Sequence, residues 1–295
     1  MKSKTLLRSG NRNVLLDAVS QLAGAANIAL VDKSYFLTSK IVETLIAPHA
    51  KQWGHDIGGT GLGRTLAEHL DRRAAQAVGV ERWNAVLSSY NALVRSYRRH
   101  GSQPPTVDQF FAALADALVN CDEEDTREVL TMVWESREFA YEYEGRSEVE
   151  LRELDPLMPT MSAVARNWAM RTDGAPFEFL ADTYSGLTPT VREWLVESSR
   201  LPLVVAGNVL PTADLRGITL ADSTSDARIQ LADILAGVGR EVARLAMDGV
   251  FDDELQVAVH EMLDNNVMAS DDSPLDLLQG CRPLRYRDDW VDANW

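Results

Sequence analysis

The sequence predicts an α/β fold carrying a large helical insertion, and three features predict it. Short apolar runs read as strands, a helix signal follows each of them, and an aspartate closes each run. The runs are Asn27 to Val31, Pro176 to Leu180 and Gly217 to Leu220, closed by Asp32, Asp182 and Asp222. Strands that alternate with helices favour a mainly parallel sheet, and in such sheets ligands gather at the carboxyl ends of the strands. The three aspartates are therefore expected where a site would be.

Between the first strand and the second, the apolar spacing predicts helices near Tyr35 to Ala47, Leu62 to Val78, Glu81 to Arg99, Val107 to Val119 and Glu123 to Tyr143. This is more helix than a crossover needs. The Gly54 to Gly63 stretch and GSQPP at Gly101 to Pro105 are rich in breakers and mark internal joints. Residues 53–148 therefore read as an inserted helical subdomain, flanked by a core made of residues 1–52 and 149–295. The stripe Trp83, Val86, Leu87, Tyr90, Val94 and Tyr97 has helical spacing and is expected to face a core. Beside it Arg95, Arg98, Arg99 and His100 form a basic cluster, expected to complement a helix end or to touch phosphate.

The segment from Ile218 to Leu245 carries the strongest chemical signal. A strand ends at Asp222, a polar turn follows, and a helix begins near Asp226. Gln230 and Asp233 lie three positions apart and so project from one face of that helix. A carboxylate buried among Leu231, Ala232, Ile234 and Leu235 is costly unless paired or bound to metal, which marks Asp233 as a candidate ligand. The alternative places Asp233 on the exposed stripe, or paired with Arg228 or Arg240.

Composition bounds the function. The chain has 295 residues, 45% of them hydrophobic, and a formal charge of −15. That charge argues against a protein that coats nucleic acid non-specifically, which needs clustered Lys and Arg. No run approaches the roughly 18 apolar residues of a membrane span, and MKSKTLLRSGNRN lacks the apolar stretch of a secretory signal. A soluble, cytoplasmic protein is expected. Cys121 and Cys281 stand alone, so neither a disulfide framework nor a thiolate metal site is indicated.

Strand, Asp-Ser, polar turn and then Gln-Leu-Ala-Asp-Ile-Leu-Ala-Gly, from Ile218 to Gly237, resembles the closing motif of an uncharacterised bacterial family, domain of unknown function 3800, which has a ribonuclease-H-like fold. Leu154 to Thr188 is similar to that family's central block, and Asn13 to Phe36 to its earlier helix, strand and Asp-Lys turn. The resemblance implies a mixed sheet with flanking helices and a carboxylate cluster that holds Mg²⁺ or Mn²⁺ for phosphodiester hydrolysis on nucleic acid. Hard oxygen ligands suit those ions, and a metal pair can activate water and stabilise a leaving oxygen. Carried over, Asp182, Asp222 and Asp233 become candidate catalytic and metal-ligating residues, with Gln230 and Ser223 as candidate substrate contacts. The family's opening Asp-Glu-Ser strand and hairpin have no counterpart, and Ala181 and Thr183 replace its central His and Glu. An unpaired sheet edge is then expected, open to a second copy or a partner chain.

Other motifs carry less. Gly58 to Thr65, GGTGLGRT, has Arg64 where a phosphate-binding loop uses lysine, and no strand precedes it. His49 and His55 flank this irregular loop and are expected at the surface. Two readings stay open: a metal-dependent nuclease, active or degenerate, and a catalytically inert binding or assembly protein that uses the helical insertion as its interaction surface.

Overall fold

The computed structural model describes residues 9–94, 106–144, 146, 154–205, 208–250, 252–263, 267–271, 273–275 and 278. The chain divides into two compact units. The first takes its described residues from 1–32, 163–185 and 213–295, the second from 33–162 and 186–212. The expected inserted segment, 53–148, lies within the second. The basic cluster Arg95 to His100, the GSQPP joint, Cys281 and the opening MKSK fall outside the described residues.

The second unit is helical because its apolar residues recur every three or four positions and close on one another. Helix α1 (Arg12–Ser20) and strand β1 (Leu30–Val31) belong to the first unit. In the second, α2 (Lys33–Ile41) runs through a π turn (Val42–Ile46) into α3 (Ala47–Gln52). Then come α4 (Leu62–Val78), α5 (Val80–Val94), α6 (Val107–Val119), α7 (Glu124–Glu135) and α8 (Arg137–Ala140), which ends in a 3₁₀ turn (Tyr141–Tyr143). The start of α6 is set by a capping box. Thr106 Oγ1 accepts from the Gln109 N–H, and Gln109 Oε1 accepts from the Thr106 N–H, both at 3.2 Å. Over its described residues, which end before Tyr97, the stripe expected on α5 does face a core: Trp83, Val86, Leu87, Tyr90 and Val94 are buried with Leu70 of α4 and Phe110 and Leu114 of α6. Tyr90 and Phe110 pack ring to ring at 5.5 Å.

Helix α9 (Leu157–Arg171) leads to β2 (Phe177–Asp182), and α10 (Pro189–Ser199) to the hairpin of β3 (Leu203–Val205) and β4 (Asn208–Leu210). Strand β5 (Leu215–Ala221) precedes the long α11 (Ala227–Met247), then α12 (Asp253–Leu263) and β6 (Val267–Met268). The first unit's larger core joins Leu15 and Val19 of α1, Leu30, Leu235, Val238 and Val242 of α11, and Val259 and Met262 of α12. Gly239 is required there, because a Cβ would stand 2.5 Å from Ile28 Cγ2.

The expected ribonuclease-H-like α/β fold is not what forms. All three predicted strands exist, but among the described residues they do not join into one sheet. Strand β2 pairs in parallel with β5, β1 pairs in parallel with β6, and β3 with β4 antiparallel, as three separate two-stranded ladders. The protein is mostly helical, with helix side chains forming its main cores. The physical reason is that apolar periodicity sets the type of an element and not its partner. Strand β1 keeps only two paired residues and finds Val267 and Met268 rather than the β2–β5 ladder.

Candidate functional site

Two places gather polar chemistry. The first lies at the carboxyl ends of β2 and β5, where the parallel register sets Asp182 opposite Ala221 and so brings Asp182 beside the turn that begins at Asp222. Asp182 Oδ1 accepts from the Thr183 N–H at 2.8 Å and from the Ser223 N–H at 3.3 Å. Asp222 Oδ1 accepts from the Thr224 N–H at 2.7 Å, and this main-chain bond holds its carboxyl below the usual range. The Asp222 carbonyl accepts from Ser225 and Asp226, which tightens the turn into α11. Asp226 is the helix cap, with Oδ1 2.9 Å from the Arg228 N. The Arg228 guanidinium also grips it at 2.7 Å and pulls its carboxyl down to about 2.

These aspartates do what short polar side chains do in tight turns, satisfying main-chain N–H groups that would otherwise be unpaired. Ser223 contributes its backbone and is half-buried; Gln230 is half-buried and its N–H bonds the Asp226 carbonyl. Asp233 is exposed. The buried face of α11 runs through Ile229, Leu235, Val238, Val242 and Ala246, which leaves Asp233 outside it. Arg228, one of its expected partners, pairs with Asp226 instead. The structure thus brings Asp182, Asp222 and Ser223 together and sets Asp233 on the solvent side of the helix. Among the described residues no group of three or more His, Cys, Asp or Glu is arranged to hold a metal ion. The donor set does not fit the Mg²⁺ or Mn²⁺ pair: both strand-end carboxylates are exposed, and each already spends an oxygen on backbone N–H groups.

The second place is a cleft of about 380 Å³ in the helical unit. Its floor is one face of the π turn and α3, where Glu43, Thr44, Ala47, Pro48 and Lys51 recur at helical spacing. The loop from His55 to Gly58 forms one wall, and Glu142 and Tyr143 of the 3₁₀ turn form another. The loop is held by Asp56, whose Oδ1 accepts from the Gly59 N–H at 3.0 Å, while Thr60 donates to its carbonyl at 2.9 Å. Gly61, at φ 76°, makes the left-handed turn into α4.

The floor is anchored from beneath. Thr44 Oγ1 lies 2.6 Å from the Lys40 carbonyl and 2.7 Å from the Tyr90 hydroxyl, in the buried core. One arrangement satisfies both contacts: Tyr90 O–H donates to Thr44, and Thr44 donates to Lys40. Burial pushes the Tyr90 phenol up, so it stays protonated and can donate. A π turn inside a helix often marks a functional position, and here it carries two residues of the cleft.

Charges in the cleft are unevenly paired. Glu43 Oε2 is 2.7 Å from Lys40 Nζ, and Glu142 Oε2 is 3.0 Å from Arg146 Nη2. The side chains of Lys51 and His55 make no hydrogen bond or ion pair with any described residue. His55 is exposed, as its place beside the irregular loop predicts, whereas no motif in the sequence singles out Glu43, Lys51 or Glu142. The available signal is Glu43, a lone charge inside the largely apolar run Ile41 to Ala50, and Lys51 closing that run before a Gly-rich loop.

No helix among the described residues is long and apolar enough to cross a membrane. No protein-family model, curated protein or solved structure matches this chain.

Proposed function

We propose that this chain is a binding protein without a hydrolytic centre, and that the cleft of its helical unit is where it recognises a ligand. The observation that carries this reading is the pair Lys51 and His55, two side chains without partners among the described residues, at the rim of a cleft whose carboxylates each have one. A cleft of this size falls in the ~300–1,000 Å³ range of small-molecule sites. The test is a thermal-shift screen of a small-molecule library on the parent chain and on Lys51→Ala. Compounds that raise the melting temperature of the parent and not of the variant support the reading; a screen in which every stabilising compound acts equally on both contradicts it.

A second reading, metal-dependent phosphodiester hydrolysis, draws on the approach of Asp182 to the Asp222 turn at neighbouring strand ends. Calorimetry with Mn²⁺ on the parent, Asp182→Asn and Asp222→Asn separates the two. Binding that disappears in both variants would favour the hydrolase. The binding reading predicts the same isotherm for all three.

A further inference from the structure

Apart from Asp56, which neighbours His55 and is held by the Gly59 N–H, the paired and unpaired groups of the cleft are segregated along its length. Glu43 and Glu142 both act electrostatically on the Tyr143 hydroxyl, so they share one end. Each has a single donor, on Oε2, and neither Oε1 atom has a hydrogen bond from a described residue. Lys51 and His55 follow each other around the turn at the other end of α3, where the His55 N–H bonds the Ala50 carbonyl. Glu43 and Lys51 are eight positions apart on one helical run, about 12 Å along its axis at ~1.5 Å per residue. The apolar floor of Ala47 and Pro48, with Ile57 beside it, separates the two ends.

An arrangement with the acceptor oxygens of Glu43 and Glu142 at one end, the donors of Lys51 and His55 at the other beside an Asp56 whose Oδ1 is taken by the Gly59 N–H, and a short apolar middle is complementary to a molecule of the opposite polarity. A lone anion would meet the three carboxylates Glu43, Asp56 and Glu142, and a lone cation would leave Lys51 and His55 unpaired. Charge-assisted hydrogen bonds at both ends would fix the orientation of a ligand that carries both charges. At ~30 Å³ per water, the cleft holds on the order of a dozen waters, which is about the space of a dipeptide.

We propose that the cleft takes a zwitterion of about dipeptide size, its ammonium group received by Glu43 and Glu142 and its carboxylate by Lys51 and His55. This assignment rests on the cleft being the recognition site. The probe is alanylalanine, titrated calorimetrically into the full chain beside its N-acetylated and its C-amidated forms. Alanylalanine binds the parent, and capping either end weakens binding at least tenfold. Lys51→Ala weakens alanylalanine at least tenfold and leaves the C-amidated form unaffected, and Glu43→Gln does the same for the N-acetylated form. Equal binding of all three compounds, with loss in Lys51→Ala, overturns the zwitterion and leaves the cleft standing. If no compound binds a chain that circular dichroism shows to be folded, or if binding ignores both substitutions, the cleft itself is overturned.

Discussion

At the scale of single residues, the floor of the cleft depends on one buried hydroxyl relay. Tyr90 is fully buried and its hydroxyl meets Thr44, which in turn meets the Lys40 carbonyl. Thr44→Val removes the middle of the relay and leaves a buried phenol without a partner, at a cost of about 1–3 kcal/mol. Tyr90→Phe removes the phenol instead and leaves Thr44 bonded to Lys40, so its cost should be smaller. Urea denaturation of the two variants checks the order; a Tyr90→Phe protein less stable than Thr44→Val would contradict the relay. The strand-end aspartates are instructive at the same scale. Their positions after apolar runs were legible in the sequence, but their partners were not. A carboxylate that holds metal and one that caps a turn have the same local sequence, and only the N–H groups of Thr183, Ser223 and Thr224 distinguish them.

At the scale of elements, α11 is held at its start by Asp226 and at its middle by Gly239. The Asp226 carboxyl lies at about 2 when folded, below its unfolded value of ~3.9. Its contribution is therefore present above pH ~4 and is lost as pH falls from there toward 2. Asp226→Asn keeps a capping side chain and should remove that part of the acid transition; a circular-dichroism titration of both proteins measures it, and superimposable acid limbs would refute the assignment. Gly239→Ala drives a methyl into Ile28 and should cost about 1–3 kcal/mol through overpacking. Ile28→Val leaves Cγ2 in place, so Gly239→Ala should cost as much in that background as in the parent, whereas in an Ile28→Ala background it should cost less; an equal cost there would place the clash elsewhere. Helices α4 and α6 could be read from the sequence because helical period, breakers and, for α6, a Thr-x-x-Gln box all agree locally. The π turn could not, since nothing in VETLI departs from helical spacing.

At the scale of the whole molecule, the correction from a mixed sheet to a mostly helical protein shows where local reading stops. The strands near Asp182 and Asp222 were predicted and they do pair in parallel, yet the ladder stays two strands wide among the described residues. Sheet width depends on contacts between distant segments, and a run such as Ala29 to Val31 contains no information about whether Leu215 or Val267 will lie beside it. The cleft was hidden for the same reason: its lining comes from residues 43–58 and from 142–143, which only the packing of the helical unit brings together.

The most direct test of where this protein recognises its ligand is a map of backbone amide shifts in a ¹⁵N-labelled chain, recorded with alanylalanine and then with Mg²⁺. Alanylalanine should move Thr44, Lys51, His55, Gly58 and Tyr143, and Mg²⁺ should leave Thr183, Ser223 and Thr224 unmoved. Shifts confined to those three amides on adding Mg²⁺, with the cleft silent to the dipeptide, would contradict both expectations and return the function to the strand-end carboxylates.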